Sequence, residues 1–163
     1  MKGILVSGAI AVLVVVVGSI LAPMTSEPGR YTDLDGSPAY VDHPTLGCMQ
    51  DAFYLMGDVI CHQQEDRCPG INGNQMPLCH RDLGILSGLV MGLLACIPLW
   101  GRLRDARMAA IAVALGFVTV VQWMFNDPSG GDGALRFATG VVSGIGAGLF
   151  MGWMLKRNVV NDG

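Results

Sequence analysis

Charged side chains are scarce, at 14% of 163 residues against roughly 25% in an ordinary soluble domain. That little charge cannot solvate a surface, which argues against a soluble globular domain and against a disordered chain. The net charge of −3 leaves no basic footprint for phosphates, so nucleic acid is not an expected partner. Hydrolase signatures are missing: there is no Gly-x-Ser-x-Gly, no His-Glu-x-x-His and no phosphate-cradling glycine loop, and the expectation leans away from an enzyme. Without a Cys-x-x-Cys, thiol–disulfide chemistry is weakened. Without a Cys-x-x-Cys-His, covalent haem is unsupported. No long apolar run contains an acid or is broken by proline, since Pro98 lies at the end of its run. This argues against a transporter with discontinuous helices.

What is present is apolar. Hydrophobic residues make up 52% of the chain and mean hydropathy is +0.49. Four runs without charge cover residues 4–22, 83–99, 108–125 and 137–155. Crossing ~30 Å of hydrocarbon takes about 20 residues of helix, and a lone strand would leave its backbone unpaired in lipid. The expected fold is therefore all-α, a four-helix transmembrane bundle in the cell membrane with the lipid bilayer as its first partner. The first run exceeds the roughly 7–15 residues of a signal-peptide core, and Leu21-Ala22-Pro23 offers no small-x-small cleavage site; it is read as an anchor. Arg102, Arg104 and Arg107, Lys156 and Arg157, and Lys2 fall on one side of four crossings. The bias of basic residues toward the cytoplasm places both termini there. Residues 23–82, with three basic residues against nine acidic ones, are then extracytoplasmic. The organisation expected is helix 1 (1–22), an outer segment (23–82), and helices 2–4 with their link and tail (83–163).

In the outer segment, Leu46, Met49, Phe53, Met56 and Ile60 repeat at helical spacing. They predict an amphipathic helix over about 45–60, with Asp51 and Asp58 on a solvated acidic face. All three histidines (His43, His62, His80) and four of the five cysteines (Cys48, Cys61, Cys68, Cys79) lie between 43 and 80. Three readings of this concentration stay open. One is a structural metal site, with Cys61, His62 and Cys79 joined by Cys48 or His80. It would hold zinc, or copper if Met49 or Met76 contributes. Another is a set of disulfides stiffening an accessory subunit of a larger membrane complex. The last is a thiol–disulfide oxidoreductase. The loop beyond Ile60 is marked by Pro69, Gly70, Gly73 and Pro77, and Cys96 is read as a packing residue.

Two further patterns stand out. Gln63, Arg67, Arg81, Asp82, Gln122 and Arg136, with Asp127 and Asp132 nearby, predict a polar cluster under the outer segment. There Arg81 or Arg136 is expected to meet an acid, and Asp132 to cap the last helix. Gly84, Gly88 and Gly92 repeat every fourth residue, as do Gly140, Gly144, Gly148 and Gly152. Each series makes a groove that lets backbones approach. The favoured use is to join the second and fourth helices within one chain, the alternative being a homo-oligomer.

Cys61-His62-Gln63 followed by Arg67, then Gly73-Asn-Gln-Met-Pro77-Leu-Cys79-x-Arg81-Asp82-x-Gly84-Ile85 and Gly88, resembles a widespread family of small membrane proteins of unknown function. Gln122, Ser129 and Leu135-Arg136-x-x-Thr139-Gly140-x-x-x-Gly144 continue the resemblance, which covers roughly 58–150. It implies a multi-span membrane protein and brings no activity. It points to Cys61, His62, Gln63, Arg67, Cys79, Arg81, Asp82, Gly84 and Arg136. Relatives place a second cysteine three residues after the one matching Cys79, where this chain has Asp82. That weakens a four-thiolate site and leaves mixed Cys/His/Asp ligation, or disulfides, open.

Overall fold

The apolar runs fold as helices in the computed structural model, which describes residues 2–32, 34, 49–125 and 132–161. The helices are α1 (Lys2–Thr25), α2 (Met49–Ile60), α3 (His80–Ala95), α4 (Ala106–Gly116), α5 (Val118–Phe125) and α6 (Gly133–Asn161). Among the described residues, three stretches are long and apolar enough to cross a membrane: Lys2–Thr25, Ala106–Phe125 and Gly133–Asn158.

The second expected span is shorter than its apolar run. The α3 helix has 16 residues and rises about 24 Å, less than the ~30 Å of a hydrocarbon core. Its end is set by Pro98, which has no amide hydrogen to continue the ladder and disfavours helical geometry at the residue before it. The chain goes on in turns, with the Leu99 amide bonded to Ala95 O at 3.2 Å. The third span is interrupted at Phe117, although it holds no proline. The Thr119 amide leaves the helical ladder and donates to Ser143 Oγ on α6 at 2.9 Å, the kind of side-chain insertion that offsets a helix.

Glycine sets the packing. A Cβ at Gly84 or Gly88 would fall on the carbonyl oxygen of Phe137 or Val141, and one at Gly92 would lie 2.5 Å from Ile145 O. From the other side, Gly140, Gly144 and Gly148 press on Arg81 O, Ile85 O and Leu93 N. The numbers rise together, so α3 and α6 run parallel, backbone against backbone. Gly152 continues the series onto the Cys96 side chain, and Gly146 opens the opposite face of α6 to Ala112 and Gly116 of an antiparallel α4. Leu5 and Ala9 of α1 share a core with Leu93, Cys96, Leu103 and Leu149. At the far end of α1, Ala22 packs with Tyr31 and Tyr54. Lys156 donates to Trp100 O and lies 5.2 Å from its ring. The basic C-terminal region and the arginine-bearing link therefore meet at the end where α1 begins.

The α2 helix turns the opposite way from the sequence expectation. Asp51 and Asp58 are each 3% exposed, whereas Met49 is 76% exposed. Asp51 is inside because it is satisfied there: the Tyr31 hydroxyl and Arg30 Nη2 both donate to its Oδ1. The apolar stripe faces outward and toward α1, where the Phe53 ring fills the space a Cβ at Gly18 would need. The portion of the expected helix before Met49 lies outside the described residues.

Candidate metal centre and polar cluster

A two-stranded hairpin organises the segment between α2 and α3. Strands β1 (Gly70–Ile71) and β2 (Asn74–Gln75) pair antiparallel around Asn72 and Gly73, whose φ values are +54° and +71°. Asn-Gly with both φ positive is the tight turn that suits strand twist. Three amides then lock the cap. Asn74 Oδ1 accepts from the Tyr31 amide at 3.0 Å, and Asn74 Nδ2 donates to Pro23 O and Glu27 O at 3.1 Å each. Gln63 Nε2 donates to Pro77 O at 3.2 Å, and Gln75 Nε2 to Gln63 O. The Tyr54 hydroxyl donates to Gln75 O at 2.7 Å, its ring stacked on Tyr31 with centroids 3.7 Å apart. A Cβ at Gly57 would strike Pro77 O, so glycine here lets the segment before Cys79 lie against α2, whose end leads into Cys61.

That approach brings the sulfurs together. One ligand atom each from Cys61, Cys79 and Asp82 lies within 4.8 Å of the other two. The Cys79 amide donates to Cys61 Sγ at 3.2 Å, and Cys79 Sγ donates to Asp82 Oδ2 at 3.1 Å. Cys61 is pushed up to about 12, first by the hydrogen bond with Cys68 and further by burial and Asp82. Cys79 is pushed up as well, by its hydrogen bond with Cys61, burial and the negative Asp82. Cys61 and Cys79 therefore hold their protons beside the Asp82 carboxylate. Cys61, Cys68, Cys79 and Cys96 are free thiols.

The remaining expected ligands are elsewhere. His62 is exposed, and the His80 ring lies beside Gly133 at the start of α6. Met49 is exposed and Met76 is buried in the cap. Cys48 and His43 lie outside the described residues. Cys68, not among the expected ligands, follows the turn at Glu65–Arg67 and acts on Cys61, but its sulfur is not in the group of ligand atoms that lie within 4.8 Å of one another.

The expected polar cluster divides in two. Gln63 belongs to the cap, and Arg67 pairs with its neighbour Asp66 at 3.7 Å. Arg81 meets an amide and not an acid, its Nη2 donating to Gln122 Oε1 at 3.0 Å. Arg136 is buried, and among the described residues no acid pairs with it. Asp132 does cap α6, accepting from the Ala134 amide at 2.9 Å. Asp127 and Ser129 lie outside the described residues.

A family model described as predicted membrane protein (DUF2085) matches residues 61–150. The chain belongs to this family. The matched stretch begins at Cys61 and takes in Cys68, Cys79, Asp82, both interior arginines and the glycine seam as far as Gly148. The family is one of unknown function, and neither curated proteins nor solved structures provide a match.

Proposed function

We propose that the chain is a small integral membrane protein whose extracytoplasmic cap is held by a structural zinc ion on Cys61, Cys68, Cys79 and Asp82. The observation that carries this reading is the convergence of Cys61, Cys79 and Asp82 within 4.8 Å. Cys68, the neighbour that acts most strongly on Cys61, would move in to supply a fourth donor. Thiolate and carboxylate ligands around a tetrahedral ion suit zinc, whereas copper(I) would prefer sulfur alone. Binding displaces the thiol protons, so affinity rises with pH.

In this reading α1, α3, α4–α5 and α6 each traverse the bilayer, α3 with the turns that follow it. Residues 23–82 lie outside, and Lys2, the Arg102–Arg107 link and the C-terminal tail lie in the cytoplasm. Alternating helix directions and the positive-inside bias support this orientation. The outward apolar stripe of α2 would rest on lipid. An impermeant maleimide applied to metal-stripped spheroplasts should label the outer thiols.

Zinc analysis of protein purified without a histidine tag tests the site. About one equivalent per chain is expected, falling sharply in Cys79→Ser; below about a tenth of an equivalent the reading fails. If metal is absent and the thiol titre is low under denaturing, non-reducing conditions, the same sulfurs form a disulfide staple, as an accessory subunit would carry. A thiol oxidoreductase is disfavoured by the upward shifts of Cys61 and Cys79, since the attacking species is the thiolate.

A further inference from the structure

Where α3, α5 and α6 meet below the cap, three buried donors lack an acceptor among the described residues. They are Arg81 Nε, Gln122 Nε2 and Arg136 Nε. Arg136 is only 5% exposed. Register places the three side chains at one level. Arg136 precedes Gly140 by one helical turn, and a Cβ at Gly140 would sit 2.5 Å from Arg81 O. Thr119 Oγ1 of α5 donates to Thr139 O of α6 at 3.1 Å, and Gln122 lies one turn further toward the same end. Arg81 uses the amide's only acceptor, so the Gln122 NH2 group remains as a donor.

The described acids at this end are engaged elsewhere. Asp82 accepts from the Cys79 thiol, and Asp132 from the Ala134 amide. A guanidinium enclosed by apolar helices is costly without a counter-charge, and all the unsatisfied atoms here are donors. We infer that Arg81, Gln122 and Arg136 form a binding site for a phosphate or phosphate-ester oxyanion. Two planar guanidinium forks match the paired oxygens of such a group, and the amide supplies a further hydrogen bond. The group could come from the headgroup of an anionic glycerophospholipid or from free phosphate. The neighbouring Met124 and Phe125 are 69% and 86% exposed, a surface along which an acyl chain could lie. This inference is independent of the zinc site.

The test uses the full chain in nanodiscs of dioleoylphosphatidylcholine, alone, with added dioleoylphosphatidylglycerol, or with inorganic phosphate. Thermal stability and lipid retention by native mass spectrometry are read for the wild type, Arg136→Gln, Arg136→Lys and Arg81→Gln. Stabilisation by the glycerol lipid alone identifies a headgroup site, and stabilisation by phosphate identifies a free-anion site. In either case affinity should fall about tenfold or more in Arg136→Gln, and less in Arg136→Lys, which keeps the charge but loses the fork. Should Arg136→Gln fail to fold, Arg81→Gln carries the same expectation. The inference is overturned if neither anion stabilises the wild type, or if the foldable variants respond as the wild type does.

Discussion

Gly144→Ala isolates the energetics of the α3–α6 seam. The added Cβ would fall on Ile85 O and lie 2.8 Å from Leu89 N and 2.9 Å from Ile85 C. All three are backbone atoms of α3, so no side-chain rotation can make room and the helices must separate. Lipid supplies no hydrophobic drive to hold them together, and association rests on the close packing that separation removes. Overpacking of this kind costs about 1–3 kcal/mol, and overlap with a rigid backbone belongs at the upper end. Gly3→Ala is the control, since no atom lies within 4 Å of its Cβ and alanine favours helix by up to about 1 kcal/mol. In thermal unfolding in detergent, Gly144→Ala should melt roughly 5–10 °C below Gly3→Ala. Gly88→Ala should behave similarly, because its Cβ would meet Val141 O on the same seam. The double variant should lose less than the two single losses combined, since helices moved apart by one methyl accommodate the second. Equal melting of Gly144→Ala and Gly3→Ala would refute a tight seam, and strict additivity would refute a shared one.

Other consequences follow from the cap. Asn74→Ala strands the Tyr31 amide and the carbonyls of Pro23 and Glu27, and should cost about 3 kcal/mol in the same melt; a loss below about 0.5 kcal/mol would mean that water replaces the amide. In metal-stripped protein, Cys61 should react with a disulfide reagent more slowly than a free thiol near neutrality and accelerate as pH climbs toward about 12. A fast reaction at neutral pH would contradict the shared-proton cluster. Tyr54 is raised above its ordinary value by burial and then by Tyr31. The folded state thus keeps a proton that the unfolded chain releases, so this stability is complete below about pH 10 and is lost above it. Denaturant titration across that range should show a decline that Tyr54→Phe reduces.

The parts legible in the sequence are those with a single physical cause. Apolar runs must be helical in lipid, and α1, α4–α5 and α6 are. Asp132 before an apolar run is a cap signal, and Asp132 caps. The α2 orientation runs against the sequence pattern because soluble logic, in which acids face water, turns its apolar stripe inward. The deciding fact is that Tyr31 and Arg30, some twenty residues earlier, meet Asp51, and no local pattern encodes that. Asn72-Gly73 was a readable hairpin signal obscured by surrounding prolines and glycines. The break at Phe117 depends on Ser143 taking an amide from another helix, so helix periodicity could not reveal it. Cys68 comes to act on Cys61 through a turn whose direction the spacing of cysteines does not determine.

The thiol site and the glycine seam are mechanically connected through the first turn of α3. Cys79 is the N-cap, its sulfur accepting from the Asp82 amide at 3.5 Å, while the Asp82 carboxylate returns to the Cys79 thiol. A thiol here does what serine does in a capping box. Gly84, the first glycine of the seam, lies two residues after Asp82. An ion bound to both Cys79 and Asp82 would pin this turn and so set where Gly84 meets Phe137. A ligand that binds only the folded turn stabilises it by mass action, and the effect should fade with distance along the helix. Chelation of the zinc-loaded protein should therefore raise amide hydrogen exchange over residues 80–86, while residues 92–96, where Cys96 is enclosed by Gly92 and Gly152, remain protected. Uniform loss of protection along α3 would mean that the ion supports the whole bundle. No change in the first turn would mean that the thiols and Asp82 do not hold the ion together.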